Sequence, residues 1–178
     1  YMIRLKEEKD IAALRISGKI LAHTLQLLKQ EAREGVQLFV LDELAYQTIT
    51  GAGANPAFLG YTPEGGKNPY PASICASVNE VVVHGIPRDY RLKNGDVLKL
   101  DAGVNYSPRG EASKGYFTDA AITVIIGKAP ARTKRLVEIT EKALEAALEV
   151  CKPGNHLGDI GYAIERLVKK QGFKVIQG

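Results

Sequence analysis

Ile11, Leu14, Gly18, Leu21, Leu25 and Leu28 recur at a spacing of three and four, which predicts an amphipathic helix over 7–33 with one buried face. Gly35 ends it. Leu38, Leu41, Leu44, Ala45 and Thr48 mark a second helix, stopped by Gly51 and Gly53. From 54 to 72 the periodicity gives way to Asn55-Pro56, Thr62-Pro63, Gly65-Gly66 and Asn68-Pro69, which is loop chemistry. Four extended segments are predicted next, over 73–78, 81–84, 96–106 and 116–126, each apolar or β-branched and bounded by Gly, Pro or Asn. Residues 91–95 turn the chain into the third, and residues 107–114 connect it to the fourth.

After Gly127 and Pro130 the helical period returns. Leu136, Ile139, Ala143, Ala147 and Val150 give one helix, closed by Pro153-Gly154. Ile160, Ala163, Ile164, Leu167 and Val168 give the next, closed by Gly172, and residues 173–177 begin an apolar strand. The order is helix, helix, strands, then helix, helix and the start of a strand. That is an α+β pattern with two copies of one supersecondary unit, the second cut off early. Helices without their strands would leave a face uncovered, so the expectation is a chain incomplete at its C-terminus.

A chain of 178 residues, 45% hydrophobic and 25% charged, suits one globular domain with a sizeable core and excludes wholesale disorder. No apolar run approaches the roughly 20 residues of a membrane span. The charged start (Arg4, Lys6, Glu7, Glu8, Lys9, Asp10) has no apolar h-region. Cys75 and Cys151 cannot build a disulfide framework. These features predict a soluble, cytoplasmic protein. The net charge of +4 owes much to Lys169, Lys170 and Lys174, and cations in a last helical turn are the ordinary complement of the helix dipole. No basic stripe with interleaved aromatics points to nucleic acid as a partner.

The segment from Asp96 to Gly103 narrows the chemistry. On a strand, Leu98, Leu100 and Ala102 share one face and Val97, Lys99 and Asp101 the other. An ionised carboxylate in a β-rich core is costly unless paired, hydrogen-bonded or bound to metal. Asp119, between Thr118 and Ala120, poses the same question, and antiparallel pairing could bring the two together. Two converging carboxylates without an obvious cationic partner suit a divalent cation. Service in turns or sheet-end hydrogen bonds is the equal alternative on these residues alone. His84, ending an apolar run before Gly85-Ile86-Pro87, could face a cleft at a sheet end and hold developing charge. His23 and His156 read as structural.

The stretch Asn79-Glu80-Val81-Val82-Val83-His84-Gly85-Ile86-Pro87, followed by Leu100-Asp101-Ala102-Gly103 and Phe117-Thr118-Asp119, resembles the type I methionine aminopeptidases, from the first helix through Pro153-Gly154 and beyond. The resemblance implies the pita-bread fold, in which helix pairs and an antiparallel sheet repeat about a pseudo-two-fold axis, here with the second half truncated. It implies a single metallopeptidase-like domain over 1–178. Asp101 and Asp119 would be metal ligands, the first chelating one ion and the second bridging both. His84 would contact substrate at the scissile bond as the catalytic histidine. Phe58, Tyr61, Tyr70 and Cys75 would line the slot for a methionine side chain, whose thioether suits apolar, polarizable walls.

The implied cofactors are two divalent ions (cobalt, manganese, iron or zinc) sharing a water, with hydrolysis restricted to the first residue of nascent peptide N-termini. The ribosome surface is an implied meeting place. Two features depart from the pattern. Residues 107–113 read as an insertion in the hairpin. The family's remaining ligands, one histidine and two glutamates, come from its second half, so two aspartates alone predict weak metal binding and negligible activity. Rival readings are an inactive pita-bread interaction module, an X-Pro peptidase, and thiol hydrolysis by Cys75 with His84 and Asp101.

Overall fold

Residues 5–108 and 115–176 are described by a computed structural model. The chain separates into two compact units, Tyr1–Lys128 and Ala129–Gly178. The first contains α1 (Glu8–Glu31), α2 (Leu38–Gly51) and four strands: β1 (Asn55–Pro56), β2 (Ile74–Val78), β3 (Val97–Tyr106) and β4 (Tyr116–Ile125). The second contains α3 (Ala131–Val150) and α4 (Leu157–Lys170). Among the described residues no helix is long and apolar enough to cross a membrane.

β3 is the centre of an antiparallel sheet. β1 and β2 pair along one side of it and β4 along the other. The expected alternation holds: Leu98, Leu100, Ala102 and Val104 are fully buried against Leu21, Leu25 and Leu28 of α1 and Leu41, Ala45 and Ile49 of α2. Ile74, Ala76 and Val78 of β2 complete that core. The helices therefore cover one face of the sheet, leaving Asp101 and its row on the other.

The buried stripe of α1 keeps Leu21, Leu25 and Leu28 from the expected apolar face but not its N-terminal part. Ile11 is 38% exposed, whereas Asp10, Ser17 and Thr24 are buried. Small residues let the helix approach the sheet closely, and the polar ones are satisfied there. Ser17 Oγ donates to the Val104 carbonyl at 3.2 Å and lies 2.7 Å from Thr118 Oγ1. Tyr116 donates its hydroxyl to Asp10 Oδ1 at 2.8 Å.

Three extended segments come out differently. Residues 81–84 are not a strand. Asn79 and His84 take left-handed φ values of 51° and 57°, and such residues cannot continue a ladder, so the valines ride on a loop. Asn55–Pro56, read as loop, forms two ladder pairs with Asn105 and Val104. Residues 173–176 pair with no strand among the described residues, and an extended segment is a strand only with a partner. The proposed insertion at 107–113 lies mostly outside the described residues.

In the second unit α3 and α4 pack as a helical hairpin. α3 buries Ile139, Ala143 and Ala147. Gly154 and Gly172, with φ of 94° and 77°, sit where the helix stops were expected. At the start of α4 the His156 N–H donates to Asp159 Oδ2 at 2.7 Å, part of a capping box.

Candidate active site

The register of β3 and β4 decides the arrangement. Asp101 lies opposite Ala121 and Gly103 opposite Asp119. The two aspartates are thus diagonal neighbours on one face, the face turned away from α1 and α2. On the other side of β3, Cys75 of β2 lies opposite Asp101 and shares that face. The convergence expected of the carboxylates is present.

Asp101 is half-buried and short of a partner, whereas Asp119 is exposed at the edge of the same face. Asp101 Oδ1 is buried and accepts no hydrogen bond. Burial pushes the Asp101 carboxyl above its ordinary value, the Asp119 charge pushes the same way, and His84 pulls it back. Partial desolvation raises Asp119 as well. An orphaned carboxylate oxygen beside a second carboxylate fits a hard or borderline divalent cation, which would supply the missing charge. The fit is partial: among the described residues no group of three or more His, Cys, Asp or Glu side chains is placed to hold a metal ion.

Phe58 and Tyr70 meet edge to face beside these carboxylates, with ring centroids 6.5 Å apart at 88°. Gly103 makes room for Phe58, because a Cβ there would stand 2.8 Å from Phe58 Cε1 and 2.9 Å from Ala57 Cβ. The Tyr70 hydroxyl shares its single hydrogen between the carbonyls of Ile74 and Gly85, at 3.1 and 3.2 Å, and neighbours the Cys75 thiol. Phe58, Tyr70 and Cys75 therefore form one wall. Tyr61 joins them only through its backbone, giving and accepting hydrogen bonds with Phe58 and Tyr70, while its side chain is largely solvent-facing at 60% exposure.

Burial pushes the Cys75 thiol above its ordinary value; the Tyr70 hydrogen bond works against this, and the charges of Asp101 and Asp119 add to it. Such surroundings lend thiol hydrolysis no support, since a reactive thiol sits where its pKa is lowered. Cys75 is buried beside the Tyr70 hydroxyl. His23 is exposed on α1.

His84 is exposed on the loop after β2, near enough to act on the Asp101 charge. Sequence reasoning gives no role to Ser77 and none to Gly103. Gly103 is legible only as a glycine inside a strand, the mark of a close approach by something else. Ser77 shows itself only in the hydrogen bonding of the loop.

The model of metallopeptidase family M24 matches residues 12–178. A methionine aminopeptidase of Aquifex aeolicus is 38% identical over 175 residues, which cover 98% of this chain and 65% of that protein. One from Clostridium perfringens is 38% identical over 176 residues, covering 99% and 66%. The crystal structure of methionine aminopeptidase from Rickettsia prowazekii superposes with a TM-score of 0.88 at 36% identity, over 99% of this chain and 66% of that one. Prolidase from Pyrococcus furiosus shares the fold, with a TM-score of 0.78 at 19% identity. The chain spans slightly less than two thirds of the length of these curated relatives.

Proposed function

The chain belongs to metallopeptidase family M24, and from that premise we propose that it removes the N-terminal methionine of nascent polypeptides by metal-assisted hydrolysis. The observation that carries this reading is the orphaned Asp101 oxygen beside Asp119, next to a wall of Phe58, Tyr70 and Cys75. Membership in a metallopeptidase family implies divalent metal ions. Asp101 and Asp119 are the residues that would hold a pair of them, of the cobalt, manganese, iron or zinc class. Two carboxylates need further donors, and the curated relatives have additional chain outside the matched stretch.

Bound cations would supply Lewis acidity and a more acidic water. The chain's own residues do the rest. Phe58, Tyr70 and Cys75 would receive the methionine side chain against aromatic and thiol surfaces, where a thioether makes good dispersion contacts. His84 would donate a hydrogen bond to the scissile carbonyl oxygen as charge develops on it. A free, neutral α-amino group would be held at the cation site that Asp101 and Asp119 form, which would confine cleavage to the first residue.

Free methionine released from a Met-Ala-Ser peptide, measured by mass spectrometry with added manganese or cobalt, tests the reading. Release should depend on the cation, exceed cleavage of an X-Pro peptide, and disappear in Asp119→Asn. Preferential cleavage of the X-Pro peptide, or release untouched by Asp119→Asn, would overturn it.

A further inference from the structure

The apolar residues flanking His84 give its loop little anchorage: Val82, Val83 and Ile86 are 51%, 60% and 50% exposed, Val81 is half-buried, and only Pro87, three residues on, is buried. Polar bonds hold it at its two ends. At the first end Asn79 N–H donates to the Val97 carbonyl at 2.9 Å, and Asn79 Oδ1 accepts from Val97 N–H at 2.9 Å. At the second, three bonds converge on Gly85. Its carbonyl accepts from Ala76 N–H at 2.7 Å and from the Tyr70 hydroxyl at 3.2 Å, and its own N–H donates to Ser77 Oγ at 3.0 Å.

Gly85 is pressed so closely on β2 that a Cβ would stand 2.7 Å from the Ala76 carbonyl oxygen and 2.9 Å from both Ser77 Cα and Oγ. It directly follows His84, whose left-handed backbone is unfavourable for a side-chain-bearing residue and persists only where neighbours impose it. The direction in which His84 leaves the loop is therefore set by how Gly85 is held. Ser77 is 2% exposed, so its hydroxyl is committed to the Gly85 N–H on the protein side of a part-buried hydrogen bond.

We propose that Ser77, with Tyr70 as a second anchor, is a positioning residue for His84: its hydroxyl fixes the peptide after the histidine and so aims the imidazole at the site. The proposal rests on the role given to His84 above. Tyr70 extends the inference. Its ring packs on Phe58 and its hydroxyl holds Gly85, so a side chain entering the slot touches the same residue that holds the His84 loop.

Amide hydrogen exchange and steady-state kinetics on Ser77→Ala, Ser77→Thr and Tyr70→Phe test this. In Ser77→Ala, exchange at Gly85 should accelerate about tenfold while Leu100 in the sheet core is unchanged, as befits one lost hydrogen bond. Turnover should fall by a similar factor with KM within about twofold, the mark of lost positioning rather than lost binding. Ser77→Thr keeps the hydroxyl and should restore both. Tyr70→Phe should accelerate Gly85 exchange less, and it serves as the independent variant if Leu100 shows that Ser77→Ala disturbs the fold. Unchanged Gly85 exchange in Ser77→Ala, or failure of Ser77→Thr to restore it, overturns the proposal while leaving the peptidase reading intact. Full turnover in His84→Ala instead overturns the role of His84, and the positioning role with it, even if the exchange result stands.

Discussion

Asp101 and Asp119 stand two register positions apart on neighbouring antiparallel strands and occupy the same face of the sheet. Burial and mutual repulsion raise the Asp101 carboxyl above the 3.8 of an unfolded chain. A raised acid contributes stability below its unfolded value and loses it as pH rises through the folded value. At neutral pH the ionised pair thus weighs against the cation-free fold.

Asp101→Asn should therefore stabilise the protein at pH 7 in the presence of a chelator. Relief of one uncompensated, half-buried charge is worth about 1 kcal/mol, or a rise in Tm of roughly 2–4 °C. The gain should shrink toward pH 4. Thermal unfolding at the two pH values checks it, and a lower Tm at pH 7 would show that Asp101 has a stabilising partner after all.

Asp96 carries the opposite sign. Burial alone would raise its carboxyl, but the Lys93 N–H, Asn79 Nδ2 and the Tyr90 hydroxyl at 2.8, 2.9 and 2.9 Å outweigh that and hold it below its ordinary value. Its contribution is present above pH 3.8 and disappears as pH falls through the lower folded value. Asp96→Asn should destabilise by about 1–3 kcal/mol at pH 7 and flatten the acid limb of the stability curve. Denaturant midpoints measured from pH 2 to 7 read this directly, and a parallel offset at every pH would contradict it.

Much of this was legible in the residues, and the exceptions have physical causes. β3 could be read because Leu98, Leu100 and Ala102 alternate strictly with Lys99 and Asp101, and the diagonal meeting with Asp119 follows from pairing it with β4. The run Val81-Val82-Val83 misleads because β-branched residues favour strands only where there is a surface to pack on. Here left-handed Asn79 and His84 turn the chain out, and Gly85 ties it back to β2. The α1 face misleads because close approach to the sheet selects Ala13 and Ser17 over Ile11, a demand local periodicity does not carry. Asn55–Pro56 becomes a strand only through Val104 and Asn105, far away in sequence.

Gly103→Ala should push the Phe58 ring aside, since the new methyl would stand within 2.9 Å of both Phe58 and Ala57. Overpacking of this kind costs about 1–3 kcal/mol. Binding of methionine amide, followed by chemical-shift changes at Tyr70, should weaken several-fold. Unchanged affinity would mean that Phe58 is not part of the slot.

Ser17→Val should destabilise the first unit by about 1–3 kcal/mol. It adds volume between α1 and the sheet and strips Thr118 Oγ1 of its partner at 2.7 Å. Chemical denaturation measures the loss, and a neutral result would show that the α1 contact has slack that the burial of Ser17 denies.

The most direct measurement is paramagnetic line broadening by manganese, read at backbone amides. Cation capture by the two carboxylates predicts that sub-stoichiometric manganese broadens Asp101, Ala102, Asp119 and Ala120 first, and that Asp101→Asn combined with Asp119→Asn abolishes this selective effect. Equal broadening in the wild-type protein and the double variant, or broadening centred elsewhere, would contradict the account.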